Sequence, residues 1–565
     1  MEKFIIYQAF TRLFGNKNNT NKPSGTIREN GCGKFNDFTS EAFKGIKELG
    51  ATHIWYTGIL EHASKTGYPE FGIQASPAEI VKGQAGSPYA IRDYYDVCPD
   101  LAEDVPNRMG EFENLVNRTH EADLKVIIDF VPNHVSRLYK SDAKPEGVFC
   151  LGEHDNQAEA FSPKNNYYYI PGQPLRLPNT TDPVQRGVFY EFPAKVTGND
   201  SFTANPEEHD WYETVKLNYG VDYLNGHAKY FDPVPNTWYK MLEILSFWTD
   251  KGIDGFRCDM AEMVPVEFWE WVIPQIKEKN PSLIFIAEVY NPQLYREYIH
   301  KGRFDYLYDK VGLYDTLKGV LQGKQSATDI TRCWQDIDDI KQHMLNFLEN
   351  HDEQRIASEY FINGPFAILP ALVISTCLHP GPYMHYFAQD VGEKAADTEG
   401  FSGNDGRTSI FDYWGVESHQ QWMNKGEFDG ANLTQEQKRL RKLYTDVLNF
   451  AKNEKCISEG LFYGLQWANK DNPEYDSEKI YSFLRYNDNE VLLFICNFSD
   501  EIKVVNLIIP DDAMEMSGLK RLCHFKGEEI SFNFGSTEIE FAQKRFLRLN
   551  HETEARDVLI YRIRK

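Results

Sequence analysis

A chain of 565 residues is too long for a single hydrophobic core, so two or three domains are expected. Hydrophobic residues at 41% and charged residues at 25% are the proportions of a globular protein, and a formal net charge of −24 would repel a phosphate backbone, which argues against nucleic acid as a partner. No run of about 18 apolar residues occurs, so no membrane-spanning helix is expected; the nearest approach, FAILPALVISTCL (366–378), is too short and is broken by Pro370.

In chain order, the first element expected is a strand over 3–9 (KFIIYQA). The amino terminus lacks the apolar core and small-residue cleavage site of a secretion signal, so it reads as that strand, and a cytoplasmic location follows. Further β-branched and aromatic runs predict strands over 51–56, 125–131, 253–259, 283–288, 304–308, 345–349 and 382–387. Between them, apolar residues at helical spacing predict helices over 109–123, 236–250, 265–279 and 354–378, with Pro265 and Pro292 where first turns belong. Strands alternating with helices call for a parallel α/β architecture, and eight strands is the number that closes a (β/α)8 barrel.

One long interruption breaks the alternation. From His134 to about Pro235 the chain is rich in Asn, Pro, Gly and Tyr, as in NNYYYIPGQPLRLPNTTDP (165–183), and a structureless loop of that length does not fit a compact domain. We therefore expect an irregular domain at 135–235, inserted after the third strand of a barrel formed by 1–134 and 236–455. Beyond about residue 455, short alternating strands with Asn-Asp and Ser-Asp turns predict a C-terminal antiparallel β-sandwich over 456–565. The nine cysteines are scattered without a CxxC pair, which suits reduced thiols rather than zinc. Nothing in the sequence points to an obligate protein partner.

Three of the predicted strands close on an acid: GIDGFRCDM (252–260) on Asp259, SLIFIAEVY (282–290) on Glu288 and MLNFLENHD (344–352) on Asp352. An ionised carboxylate in a dry core is costly unless paired. The mouth of a parallel barrel is the exception, because residues from the C-terminal ends of several strands converge there over a packed interior. Arg257 and His351 stand beside the first and last of these acids.

At these residues the sequence resembles the α-amylase superfamily of glycoside hydrolases. The motifs that carry the resemblance are DFVPNH (129–134), GFRCD (255–259), the Glu288 strand and NHD (350–352), in the family's order, with SPYAIRDYYDV (87–97), YFAQDVGE (386–393) and GNDGRTSIFDYW (403–414) in support. The resemblance implies a retaining α-glycosidase acting on α-glucosidic bonds of maltooligosaccharides or α-glucans, with Asp259 as nucleophile, Glu288 as acid/base and Asp352 as stabiliser of the oxocarbenium charge. On that reading Arg257 orients Asp259 and keeps it ionised, His134 and His351 bond sugar hydroxyls, and Tyr89 stacks under the ring. The chemistry requires no cofactor. The resemblance also implies that Asn133 ligates a structural calcium between barrel and insertion, although one Asn identifies none of the other oxygens such an ion needs.

The sequence departs from the family pattern just after the nucleophile. Many relatives carry a Lys-His pair there, which contacts an acceptor sugar and lends a carbonyl to calcium; this chain has Glu262 and Met263. That keeps a transglycosylase using the same acids as the alternative. A non-catalytic relative is the reading from another class, and the three retained acids speak against it.

Overall fold

The computed structural model describes residues 3–178, 189–362, 364–396, 404–521, 524–530, 532, 538–542 and 547–565. Cys523, Gly403 and the 179–183 end of the Tyr-rich segment lie outside the described residues.

Eight parallel strands close a barrel: β1 (Ile5–Phe10), β2 (His53–Thr57), β3 (Lys125–Phe130), β4 (Gly255–Cys258), β5 (Ile284–Ala287), β6 (Tyr306–Tyr308), β7 (Met344–Phe347) and β8 (Tyr383–Tyr386). Each pairs with its neighbours in sequence, and β8 returns to β1 through Ile5 opposite Tyr383. Their continuous apolar character follows from burial on both faces, by the barrel interior and by the helices outside. Gly255 opens β4 because the packing leaves no room for more: a Cβ there would come within 2.6 Å of Ile284.

The eight predicted strands all form, shifted by at most two residues at their ends. Helices follow at Arg108–Glu121, Asn236–Asp250 and Val266–Lys279, with Pro265 as the residue before the first turn of the last. The helix expected over 354–378 is shorter than predicted. Only Leu369–Cys377 is α-helical, preceded by a 3-10 turn at Pro365–Ile368. The reason is Arg355: its buried guanidinium pairs with Glu349 (2.9 Å) and donates to Thr408 Oγ1 and the Phe387 carbonyl. That anchorage folds the segment over the end of β7 instead of continuing a helix.

Two long excursions build the wall above the strand ends. After β2 the chain makes an antiparallel pair, Leu60–His62 with Ile91–Val97, before returning to the helix that leads to β3. The apolar pattern of the sequence does not announce this excursion. After β3, residues 134–229 form small two-stranded pairs, among them His134–Ser136 with Thr214–Lys216 and Tyr169–Ile170 with Ala194–Lys195. Tyr167, Tyr168 and Tyr169 are buried, so they serve packing in this region. Ile80 joins Leu175, Leu177, Ala194 and Ala204 in one apolar cluster that ties the two excursions together.

At the C-terminal end an antiparallel sheet runs in the order Leu461–Gly464, Ile480–Tyr486, Glu490–Asn497, Val558–Arg564, His524–Ile530, Glu538–Ala542, and Lys503–Ile509 pairs with Leu547–Thr553. Val505, Leu507 and Ile509 face Ile480, Leu484, Leu493 and Tyr561 in a core separate from the barrel's. Among the described residues no helix is long and apolar enough to cross a membrane.

Candidate active site

Asp259 and Glu288 follow directly on the C-terminal ends of β4 and β5, which are adjacent and in register, with Cys258 opposite Ala287. Adjacent parallel strands ending at one level bring the two side chains to the same side of the mouth. Arg257 holds them together. Its Nη1 donates to Asp259 Oδ1 at 2.7 Å, and Nη2 pairs with Glu288 Oε2 at 2.8 Å. The guanidinium is 1% exposed and is caged by the rings of Trp55, Tyr89 and Tyr308, 5.2 to 5.7 Å from their centroids. Aromatic faces stabilise a cation without neutralising it, so its whole charge stays available to the carboxylates.

Glu288 receives two further donors, the Met260 N–H on Oε2 (2.8 Å) and the Tyr290 hydroxyl on Oε1 (2.5 Å). Met260 adopts left-handed backbone (φ 43°), an uncommon conformation for a side chain of this kind. The strained residue therefore sits between the two acids, as such residues often do at reactive sites. Glu262, at the position of the departure from the family pattern, accepts from the N–H groups of Tyr290 (3.2 Å) and Asn291 (3.0 Å). It thereby braces the loop that carries Tyr290 to Glu288.

Asp352 comes from the turn after β7. Its Oδ2 lies 3.0 Å from His351 Nε2, and its side chain is 42% exposed, facing the opening. Burial alone would raise its pKa; His351 and Arg257 outweigh that and hold it below the ordinary carboxylate value. Asp259 moves the other way. Burial, with the Glu288 and Asp129 carboxylates beside it, pushes it well above that value against the pull of Arg257. The two buried carboxylates share one guanidinium, and their charges repel each other.

The remaining expected residues also converge. His351 Nε2 meets the Tyr89 hydroxyl at 2.6 Å, and its Nδ1 meets Gln8 Nε2 at 2.9 Å. His134 Nε2 stands 4.0 Å from Asp259 Oδ2, and burial followed by the charges of Lys216 and Lys82 lowers its pKa to about 3, so it is a neutral imidazole. Trp211 packs against that imidazole, ring centroids 5.2 Å apart. A cavity of about 270 Å³ opens among these groups, bounded by Tyr89, His134, Trp211, Tyr290, Ile410 and Phe411 around Asp259, Glu288 and Asp352.

Asn133 is not available as a calcium ligand. Its Oδ1 accepts from Lys216 Nζ at 2.8 Å, and the same ammonium pairs with Asp200 Oδ1 at 2.5 Å. Calcium needs six to eight oxygens, whereas here a cationic side chain already lies between Asn133 Oδ1 and Asp200 Oδ1. Among the described residues no group of three His, Cys, Asp or Glu side chains is arranged to hold a metal. The residues around Asn133 do not fit the ion.

Several contributors carry no role in the sequence alone. Asp129, there only part of a motif, is buried, accepts from Trp55 Nε1 (3.1 Å) and lies 3.5 Å from Arg257 Nη1. Its signal is its place at the end of β3, the same signal that marks Asp259. Gln8, Trp55, Tyr290 and Tyr308 sit on or just beyond strands whose apolar pattern they only mildly interrupt, so nothing local distinguishes them.

Comparison with known proteins identifies the family. Residues 8–438 match the family model of the α-amylase catalytic domain. The α-1,4-glucan:maltose-1-phosphate maltosyltransferase of Cereibacter sphaeroides is 24% identical over 221 residues, 36% of this chain and 32% of that protein. Over this match the chain spans about a third of the relative's length. Alpha-amylase 3 of Dictyoglomus thermophilum is 22% identical over 540 residues, 89% of this chain and 88% of the relative. The crystal structure of a noncanonic maltogenic α-amylase from Thermotoga neapolitana superposes with a TM-score of 0.61 at 19% identity, covering 100% of this chain and 99% of the other. A family model spanning most of the chain, on a closed eight-stranded barrel with acids at its mouth, means that the chain belongs to the α-amylase family of glycoside hydrolases.

Proposed function

We propose that this enzyme hydrolyses α-glucosidic bonds in maltooligosaccharides or α-glucans with retention of configuration, using Asp259 as nucleophile, Glu288 as acid/base and Asp352 as electrostatic stabiliser. The observation that carries the reading is the bridge of Arg257 to both Asp259 and Glu288. Two carboxylates paired with one guanidinium stand close together, which favours the ~5–5.5 Å spacing of retaining enzymes over the ~6.5–9.5 Å of inverting ones. Relatives named as an α-1,4-glucan maltosyltransferase and an α-amylase support a glucan as substrate.

The reaction divides into two displacements. Glu288 gives its proton to the departing glycosidic oxygen while ionised Asp259 forms a bond to the anomeric carbon; water, deprotonated by Glu288, then displaces Asp259. The pair must therefore hold one proton, on Glu288, when the sugar is bound. Arg257, bonded to Asp259 Oδ1, favours the ionised form of Asp259 and so leaves the proton to Glu288. Asp352, held ionised by His351, faces the positive charge that develops on the ring. Tyr89 offers its ring to the C–H face of the pyranose, and His134, neutral, donates to a hydroxyl. The eight described cysteines are all free thiols, which suits a reducing, cytoplasmic setting.

Digestion of maltoheptaose followed by proton NMR tests this. Shorter products released in the α configuration are expected. Products longer than the substrate would instead make the enzyme a transglycosylase, a reaction also represented among its relatives, and β products would overturn retention.

A further inference from the structure

We infer that the Lys216 ammonium does the work of a bound cation at the junction of barrel and insertion, and that through Asn133 it fixes which nitrogen of His134 carries the proton. The inference about His134 in catalysis rests on the function proposed above; the inference about the cation does not.

Donors and acceptors around Lys216 leave one arrangement. Lys216 is 2% exposed and lies directly opposite His134 in the antiparallel pair His134–Ser136 with Thr214–Lys216. An ammonium only donates. Its contacts are Asn133 Oδ1 (2.8 Å), Asp200 Oδ1 (2.5 Å) and the face of Tyr223, 5.2 Å from the ring centroid. Because Lys216 requires an acceptor, the Asn133 amide must turn its oxygen toward it. The amide nitrogen then faces the other way, where it donates to the Gly198 carbonyl at 2.7 Å and meets His134 Nδ1 at 3.2 Å. A nitrogen that receives an N–H carries no proton of its own. In a neutral imidazole the proton is therefore on Nε2, the atom that points toward Asp259 Oδ2 at 4.0 Å.

The backbone around the relay leaves it little freedom. Leu217 N–H bonds the Asn133 carbonyl (2.9 Å) and Lys216 N–H bonds the Val196 carbonyl (2.9 Å). Gly198 stands so close that a Cβ would lie 2.5 Å from Thr214 Oγ1 and 3.0 Å from the His134 Cβ. A single positive charge on a covalent tether thus joins the same elements that a divalent ion would join, and it orients Asn133 in the same act. Lys216 is a positioning residue, acting on the site only through Asn133 and His134.

Two experiments on the full-length protein test this. In the first, thermal unfolding is followed with EDTA and with added calcium chloride. An unchanged midpoint in both is expected; a midpoint that falls with EDTA and recovers with calcium would overturn the cation inference. In the second, Asn133→Asp keeps the shape and strengthens the pair with Lys216 but removes the donor to His134 Nδ1 and to the Gly198 carbonyl. The variant should stay folded with a lowered midpoint, because a carboxylate oxygen now faces the Gly198 carbonyl, while kcat on maltotriose falls by about 10- to 100-fold, the size of effect known for groups that orient metal-bound His. Nitrogen-15 NMR of labelled histidine should show the His134 proton leave Nε2 for Nδ1. Full kcat, or an unmoved tautomer, would overturn the relay. If wild type fails to cleave both maltotriose and maltoheptaose, the proposed function falls, yet the EDTA and NMR readings still decide the cation and the tautomer.

Discussion

Two buried cations organise the upper end of the barrel, and they are balanced differently. Arg257 faces Asp259, Glu288 and Asp129, three carboxylates to one guanidinium. Lys216 pairs with Asp200 and is otherwise held by the neutral Asn133. The first group carries a negative excess that only a proton, or a positively charged transition state, can relieve. The second has nothing left to exchange. Both cations are deeply placed, so the depth of the cation alone does not separate them; the surplus of acid over base is what marks a centre built for chemistry, and charge balance marks a joint.

Removing one acid from the surplus should produce the largest effect on rate and the opposite effect on stability. Asp259→Asn is expected to lower kcat on maltotriose by about 10³-fold or more, because the proposed mechanism gives the attack on the anomeric carbon to Asp259. The folded protein should gain stability at neutral pH. Asp259 is pushed above its ordinary value of 3.8, so folding favours its protonated form. Its favourable contribution is present below pH 3.8 and is lost as pH rises through the folded value. Denaturant unfolding of wild type and Asp259→Asn should therefore differ at about pH 7 in favour of the variant and converge toward about pH 4. A variant less stable than wild type at neutral pH would refute the surplus.

Glu288→Gln comes next. Loss of the acid/base group should cost about 10²- to 10⁴-fold on maltotriose. The loss should be far smaller with a 4-nitrophenyl glucoside, whose leaving group departs without a proton, if the first displacement limits the rate. Equal losses on the two substrates would remove Glu288 from the role of proton donor.

The contrast between the two centres also describes what is legible in the sequence. Barrel strands are readable because burial on both faces writes a continuous apolar run, and the acids are readable because a charge at the end of such a run is out of place. The same logic extends to Asp129, next to last in β3, as Asp259 follows β4. Lys216 is hidden for the opposite reason. It sits in VKLNYG within an irregular segment, where a lysine is ordinarily solvated, and only the antiparallel pairing of 214–216 with 134–136 buries it. The excursion after β2 is obscure because its first strand is only Leu60–His62 and the partner strand, from Ile91, lies far along the chain. The shortened helix at 369–377 shows a long-range ion pair, Arg355 with Glu349, overriding a helical pattern.

The smallest expected effect is the one that breaks the balanced centre. Asp200→Asn leaves Lys216 buried with two neutral acceptors in place of one neutral and one charged. The Asp200 side chain is 37% exposed, so water already screens part of the attraction; the loss should be about 1–2 kcal/mol of stability rather than the larger cost of stranding a fully buried charge. Because the amide oxygen introduced by the substitution still accepts from the ammonium, Lys216 still donates to Asn133, and kcat should stay within about twofold of wild type if the relay is intact. The same type of substitution, Asp to Asn, thus stabilises beside Arg257 and destabilises beside Lys216. Parallel denaturant curves for Asp200→Asn and Asp259→Asn at neutral pH measure that difference in sign directly, and two shifts in the same direction would mean that charge surplus does not distinguish the two sites.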